Sequence, residues 1–142
     1  VPVLARLCEK PAWLEWVNSP YLPYAPRVQA LGFDTGKILL LRMLSDEQAI
    51  WAAEEALRSG NCSVVMFWPG KLVTAQVRRL QLAAEAGACL GILFRPRSAS
   101  SQASVAALRL GVEADAQALS IQLLRRRGGW GGGSVRLTPC FG

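Results

Sequence analysis

The stretch GFDTGKILLL, from Gly32 to Leu41, contains the residue types of a phosphate-binding loop: two glycines, a lysine and an adjoining apolar run. Such a loop needs the spacing G-x-x-x-x-G-K-[ST], placed after a strand and opening a helix. Here Gly36 follows Gly32 one residue too early, and Ile38 stands where a magnesium-binding hydroxyl is needed. The predicted order is also reversed, with a helix before the stretch and a strand after it. We therefore interpret it as a connection and not as a phosphate site.

Other catalytic chemistry is also poorly supported by the residue types present. The chain of 142 residues has no histidine, which excludes Ser-His-Asp and Cys-His catalysis within it. Its four cysteines are widely spaced and lack a C-x-x-C pair, so we interpret them as free thiols and expect no metal site. The two strand ends WVNSP and MFWPG carry no carboxylate for magnesium. We predict a protein that is not an enzyme and has no cofactor.

Charge is distributed unevenly along the chain. Residues 1–70 carry 6 Lys/Arg and 7 Asp/Glu, a net of −1, whereas residues 71–142 carry 10 and 3, a net of +7. A basic surface suits an acidic protein partner or a DNA backbone, and the alternative is a solvated edge. Tryptophan beside arginine could also stack on single-stranded bases. The predicted partner- or DNA-binding residues are Arg95, Arg97, Arg125, Arg126, Arg127 and Trp130.

Strands and helices alternate through the first two-thirds of the chain. Apolar runs predict strands over 12–17, 63–68 and 88–94, and the run over 37–44 predicts a strand over 38–41. Amphipathic or capped segments predict helices over 26–31, 45–60 and 74–86. The helix stripes expected to face the core include Ile50, Ala53 and Leu57 in one helix and Val73, Val77, Leu80 and Ala84 in the next. Unbroken apolar strands that alternate with helices indicate an α/β fold with a largely parallel sheet and helices on both faces.

The character of the sequence changes after Arg95. A Ser-rich loop precedes two segments, AALRLGVEA and ALSIQLLRR, whose apolar and polar residues alternate, which predicts an antiparallel β-hairpin. We predict one domain over 1–127 and a Gly-rich linker and tail over 128–142, where VRLTPCFG either adds an edge strand or stays loose. No apolar run is long enough to span a membrane, and we interpret the start at Val1 as the front of a piece of a longer protein.

The order of these elements resembles the core of the RecA recombinase family over residues 12–68, most clearly from Glu47 to Gly60. Where that family has a catalytic glutamate and a magnesium aspartate, this chain has Asn18 to Pro20 and Trp68, so the resemblance implies the fold without the activity. LRSGNCSVVMFW, AAEAGACLGILFRPRSASS and AALRL resemble the SulA/ImuA group of RecA-like proteins over about residues 10–127. PYLPYAP, RRLQLAAEAG and LLRRRGG are more similar to the ImuA branch.

This resemblance implies a bacterial, cytoplasmic protein of the SOS response that acts by binding. The expectation from the ImuA branch is an accessory protein of translesion DNA synthesis that works with RecA, ImuB and an error-prone polymerase. The alternative, from the SulA branch, is an inhibitor of cell division that binds FtsZ and blocks its polymerisation. Direct binding of single-stranded DNA and homo-oligomerisation also stay open.

Overall fold

The computed structural model describes residues 12–129 and 131–138, so Trp130 and the first eleven residues lie outside the described part. The chain divides after Arg95 into two compact units, and each is described by itself. Within the described residues, none of the helices has the length and apolar character needed to cross a bilayer.

The first unit is a four-stranded parallel sheet with its helices in the connections. Its strands are β1 (Trp13–Val17), β2 (Ile38–Leu41), β3 (Cys62–Phe67) and β4 (Leu90–Leu93), and their order across the sheet is β2-β1-β3-β4. Its helices are α1 (Ala25–Ala30), α2 (Asp46–Arg58) and α3 (Thr74–Gly87). The predicted α/β class with a parallel sheet is confirmed.

Helix α2 begins and packs as its sequence predicts. The Ser45 hydroxyl accepts a hydrogen bond from the Gln48 backbone N–H at 3.2 Å, which satisfies one of the free donors at the helix start. Ile50, Ala53 and Leu57 are buried on one stripe. This stripe packs α2 against α3 and the central strands.

The two faces of the sheet are covered differently. On the face that packs against α2, Val17, Val65 and Phe67 are almost fully buried. On the opposite face, Leu14, Val64 and Met66 form a cluster that is joined by partly buried side chains. These side chains are Trp16, Phe33, Ile38, Trp68 and Ile92. Helix α1 buries none of its residues. Phe33, which follows α1, packs against this cluster instead.

One detail of the predicted elements is confirmed and one is wrong. The strand predicted over 38–41 is confirmed, since β2 ends at Leu41 and the apolar run continues outside the strand to Leu44, whose side chain is 100 % exposed. β2 is an edge strand, so the apolar residues that follow it have no second neighbour with which to pair. Val73, expected in the core stripe of α3, is 61 % exposed because it occupies the N-cap position, outside the first helical turn.

The second unit is a three-stranded antiparallel sheet. Its strands are β5 (Leu108–Ala114), β6 (Leu119–Arg126) and β7 (Ser134–Leu137), in the order β5-β6-β7. The predicted hairpin is confirmed, and the Asp115 carboxylate closes its turn by accepting from the backbone N–H groups of Gln117 and Ala118, both at 2.7 Å. β7 pairs with β6 across the boundary predicted at residue 127, and that division into domain and tail stays a prediction.

A buried carboxylate joins α2 to α3. The side chain of Glu54 is only 7 % exposed, and its oxygens accept from Arg58 at 2.8 Å and from Arg79 at 2.5 Å. Arg58 lies one turn further along α2, whereas Arg79 belongs to α3. A buried charge is tolerated only when it is paired, so this ion pair favours one arrangement of the two helices.

We expect Glu54→Ala to lower the free energy of unfolding by about 1–3 kcal/mol, because the two half-exposed arginines lose a buried partner. The measurement is urea unfolding followed by circular dichroism. Glu55→Ala is the matched control, since Glu55 and its partner Arg58 are both about half exposed and such pairs contribute about 1 kcal/mol or less. Equal losses in the two variants would contradict the role assigned to Glu54.

The backbones of α2 and α3 come close together at the last residue of α3. A Cβ built on Gly87 would overlap the carbonyl oxygen of Leu57, a backbone atom that cannot move aside as a side chain can. Glycine is therefore required at this position for a steric reason, in addition to its place at the helix end.

We expect Gly87→Ala to destabilise the protein by at least about 2 kcal/mol, since the helices must separate to admit the methyl group. Ala86→Ser, at an exposed position one residue earlier, should change stability by no more than about 0.5 kcal/mol. Thermal unfolding of the pair tests this prediction. A Gly87→Ala protein as stable as the parent would show that the close approach is absent in solution.

Candidate functional site

All four strands of the first unit end at one edge of the sheet. Hydrogen bonds continue the pairing past the strand ends, from Asn18 N–H to the Leu41 carbonyl (2.8 Å), from Trp68 N–H to Val17 (3.1 Å) and from Phe94 N–H to Phe67 (2.9 Å). The carboxyl ends of parallel strands are the usual position for binding sites in such folds. We therefore expect a binding site in the loops at this edge.

The first six residues of GFDTGKILLL, 32–37, lie at the other edge of the sheet. Gly32, with φ of 89°, ends the turn after α1, and the Asp34 carboxylate accepts from Gly36 N–H at 2.9 Å. A single 3₁₀ turn, Thr35–Lys37, then leads into the amino end of β2. The glycines and lysine thus belong to a connection that enters a strand.

Asn18 connects the loop after β1 to the loop after β2. It has a left-handed backbone, with φ of 54°, which asparagine tolerates better than most residues. Its side-chain oxygen accepts from the Met43 backbone N–H at 2.7 Å. The neighbouring Ser19, which is buried, both donates to the Tyr21 carbonyl (2.8 Å) and accepts from its N–H (3.2 Å). Both loops are therefore held in defined positions.

These two loops present large apolar side chains to solvent. Tyr21, Leu22 and Tyr24 are 71 %, 74 % and 73 % exposed, and Leu44 on the second loop is fully exposed. We call these four residues the loop patch. Exposed apolar patches mark interaction surfaces, and tyrosine is enriched among the residues that dominate protein-protein binding. The sequence indicated this only weakly: PYLPYAP alternates large side chains with prolines, a pattern that equally suits a structural loop.

An aromatic row lies on the face of the sheet that does not pack against α2, near the carboxyl ends of the strands. The rings of Trp16 and Trp68 have centroids 5.7 Å apart, and Trp68 stacks on Phe94 at 4.3 Å with an interplanar angle of 7°. Such pairs add roughly 0.5–1.5 kcal/mol beyond their buried area. The row covers the ends of three strands and leads directly to Arg95, which follows Phe94 in the chain.

A buried carboxylate and two buried thiols lie together within the first unit. Cys62 Sγ donates to Glu15 Oε2 at 3.8 Å, and both Cys62 and Cys89 are free thiols. Burial raises the pKa of Glu15, although the Cys62 hydrogen bond opposes this. Burial, with a smaller contribution from the Glu15 carboxylate, raises the pKa of Cys62 to about 11. Burial also raises the pKa of Cys89 to about 12, with smaller contributions from the charges of Cys62 and Glu15.

Raised thiol pKa values leave little thiolate at neutral pH, so neither cysteine is activated as a nucleophile. Across 12–129 and 131–138, His, Cys, Asp and Glu side chains form no group of three or more that could hold a metal ion. The Glu15–Cys62–Cys89 group is therefore part of the interior of the first unit and offers neither a nucleophile nor a metal centre.

The predicted cationic residues are separated by the division of the chain. Arg95 belongs to the first unit, and Arg97, Arg125, Arg126 and Arg127 belong to the second. Arg97 pairs with Glu113, and the Arg125 guanidinium donates to the Ser104 carbonyl. Trp130 lies outside the described residues. A binding role for this set stays a prediction.

Comparison with known proteins gives one consistent family. The family model described as "Cell division inhibitor SulA" matches residues 1–91. The cell division inhibitor SulA of Edwardsiella piscicida is 38 % identical over 96 residues, and that of Photorhabdus laumondii is 36 % identical over 110 residues. These alignments cover 68 % and 77 % of this chain but only 57 % and 62 % of the relatives, so the chain spans about 60 % of their length.

A solved structure agrees with these matches. The crystal structure of SulA from Pseudomonas aeruginosa aligns with a TM-score of 0.55 and 28 % sequence identity, over 66 % of this chain and 81 % of that one. The family match ends at residue 91, just before the division between the two units.

These findings overturn one prediction from the sequence. The expectation of an accessory protein of translesion synthesis, with RecA, ImuB and a polymerase as partners, is wrong, because the matched family and relatives are described as cell-division inhibitors. The SulA/ImuA group is supported at the level of the SulA family. The motifs that suggested the ImuA branch lie in the loop that leads into α1, in α3, and at the end of β6 with the turn after it.

The pKa of Glu15 leads to a prediction about stability. The pKa of Glu15 is higher in the folded state than in the unfolded state. Such a carboxyl contributes stability that is fully present below the unfolded-state pKa, where it is protonated in both states. This contribution is lost as pH rises through the folded-state pKa. We expect Glu15→Gln, which cannot ionise, to raise the free energy of unfolding at neutral pH, because no carboxylate then has to be buried. The gain should shrink at about pH 4.5, where the parent is protonated more fully.

Urea unfolding at both pH values measures this difference. Glu47→Gln, at an exposed position in the first turn of α2, is the control and should change stability little at either pH. A Glu15→Gln variant that is less stable than the parent by the same amount at both pH values would contradict the prediction.

Proposed function

Because this chain belongs to the SulA family of cell-division inhibitors, we propose that it binds the division protein FtsZ and blocks its polymerisation. The observation that carries the proposal is the family match over residues 1–91, which takes in almost all of the first unit. In this proposal the protein acts in the bacterial cytoplasm, where FtsZ assembles, during the response to DNA damage. It works by occupying its target and not by a catalysed reaction.

We place the contact with FtsZ at the loop patch. Three features support this placement: the patch lies inside the family-matched range, its side chains are large and exposed, and its loops are held by the Asn18–Met43 hydrogen bond. A surface ordered before binding loses less conformational entropy when the partner arrives. Burying a leucine or a similar side chain contributes roughly 1.5–3 kcal/mol, so a few of these residues suffice for a specific contact.

An inhibitor that acts by occupancy has a characteristic dose response. Each bound molecule removes one FtsZ subunit from assembly, so the inhibition should follow the molar ratio of the two proteins. A catalyst acting on FtsZ would instead inhibit at ratios far below one, given time. This difference separates the proposed mechanism from an enzymatic one without any assumption about the binding site.

We expect the protein to suppress GTP-dependent FtsZ polymerisation, followed by light scattering, in proportion to its concentration up to a ratio of about one. The double variant Leu22→Ser, Tyr24→Ser should require at least about ten times more protein, because two central contacts of the loop patch are lost. Leu82→Ser is the matched control, since Leu82 is also an exposed apolar side chain but lies on α3.

The outcomes separate the two parts of the proposal. No suppression at a several-fold excess over FtsZ would remove FtsZ as the target. Suppression that the double variant retains in full would keep FtsZ but exclude the loop patch as its binding surface. Equal weakening by Leu82→Ser would assign the loss to exposed apolar residues in general and so also exclude the patch.

A further inference from the structure

Helix α2 carries a tryptophan on the side that does not pack against the rest of the first unit. The buried residues of α2 form one stripe that contacts α3 and the central strands, and Trp51 lies outside this stripe with 63 % of its surface exposed. Among the described residues, no aromatic ring stacks on its indole. Tryptophan is highly buried on average and is enriched among the residues that dominate protein–protein contacts. Its exposure on a well-formed helix therefore indicates a surface that meets a partner.

Two glutamates flank this tryptophan on the same side of α2. Glu47 lies four residues before Trp51 and Glu55 lies four residues after it, and residues four apart are neighbours on a helix surface. Both glutamates are exposed, as is the uncharged Gln48, three residues before Trp51. Within 12–129 and 131–138, Glu47 forms no ion pair. We call Glu47, Gln48, Trp51 and Glu55 the tryptophan face.

The basic residues near this face do not balance its acidic ones. The one arginine of α2, Arg58, lies seven residues beyond Trp51 and donates to the buried Glu54 at 2.8 Å. Its contact with one oxygen of Glu55 is longer, at 3.5 Å, and such pairs between half-exposed side chains are weak. Helix α2 has four acidic residues against Arg58 and the Arg79 that also pairs with Glu54, a net of −2. The tryptophan face therefore keeps a negative charge.

An exposed indole between two carboxylates fits a cation. The ring face of tryptophan is electrically negative and attracts a cationic group more strongly than the other aromatic side chains do. Arginine suits this position better than lysine, because its planar guanidinium stacks on the ring while its N–H groups donate to a carboxylate. A guanidinium stacked on Trp51 lies one helical turn from Glu47 on one side and from Glu55 on the other. The charge and the ring thus favour the same ligand.

We propose that the tryptophan face binds an arginine-containing segment of another protein. One guanidinium stacks on Trp51 and pairs with Glu47 or Glu55, and the charges of the two surfaces are complementary. A nucleic-acid base can stack on the same indole, but its phosphates then meet two carboxylates. A wholly apolar segment removes water from both glutamates without replacing it by a partner. The tryptophan face shares no residue with the loop patch, so this proposal does not rest on the proposed contact with FtsZ.

The test uses the full chain and two unlabelled peptides, with binding measured by isothermal titration calorimetry. One peptide is short and contains several arginines, and its partner has citrulline, which keeps the planar shape without the charge, at each of those positions. The whole chain has a net charge of +6, which disfavours non-specific attraction of the arginine peptide, so its binding reports a local site. We expect the arginine peptide to bind at least about tenfold more tightly than the citrulline peptide.

Three variants locate the site. Trp51→Leu keeps an apolar side chain but removes the aromatic ring, and it should weaken binding of the arginine peptide at least about threefold. The double variant Glu47→Gln, Glu55→Gln removes both charges and should also weaken it at least about threefold. Glu85→Gln is the matched control, because it removes a charge from an exposed position on α3, and it should weaken binding less than about twofold. All these positions are exposed, so the variants should unfold at nearly the temperature of the parent.

Several results would overturn the proposal. Equal binding of the two peptides, full binding by Trp51→Leu, or equal weakening by Glu85→Gln would remove the role of this face. Binding of a thymidine oligonucleotide that Trp51→Leu weakens would assign the face to nucleic acid, and self-association that Trp51→Leu abolishes would assign it to a second copy. A large loss of stability in Trp51→Leu would show that the chain itself covers the indole. FtsZ inhibition by Trp51→Leu should match the parent, and its loss would assign Trp51 to the FtsZ contact instead.

Discussion

The position of β1 between β2 and β3 is the constraint on which the first unit depends. This five-residue strand is hydrogen-bonded in parallel on both sides, and its register brings the carboxyl ends of three strands to one edge. The loops that leave β1 and β2 must then be neighbours, and Asn18 uses a left-handed backbone and its side-chain amide to hold them there. This arrangement, together with the local hydrogen bonds between Ser19 and Tyr21, displays the exposed tyrosines and leucines of the loop patch.

The same strand explains why the interior contains an acidic group. Glu15 lies in the middle of β1 and is buried, with a hydrogen bond from Cys62 as its described polar contact. Burial raises its pKa and, together with its negative charge, raises those of the thiols. An acidic group of this kind in an α/β interior can suggest catalysis, yet the direction of every shift opposes the charged, reactive form. The free energy lost by burying this acidic group is offset by the apolar burial of Val17, Val65 and Phe67 in the same unit.

Much of the fold could be predicted from the sequence because its signals are local. Ser45 as an N-cap and the period-two alternation of the C-terminal segments each depend on a few neighbouring residues, and both predictions are confirmed. The end of β2 at Leu41 is confirmed as well, although the apolar run continues to Leu44. The loop patch was harder to predict, because the prolines and tyrosines of PYLPYAP favour a structural loop and Leu44 reaches the same edge only through the pairing of β1 with β2.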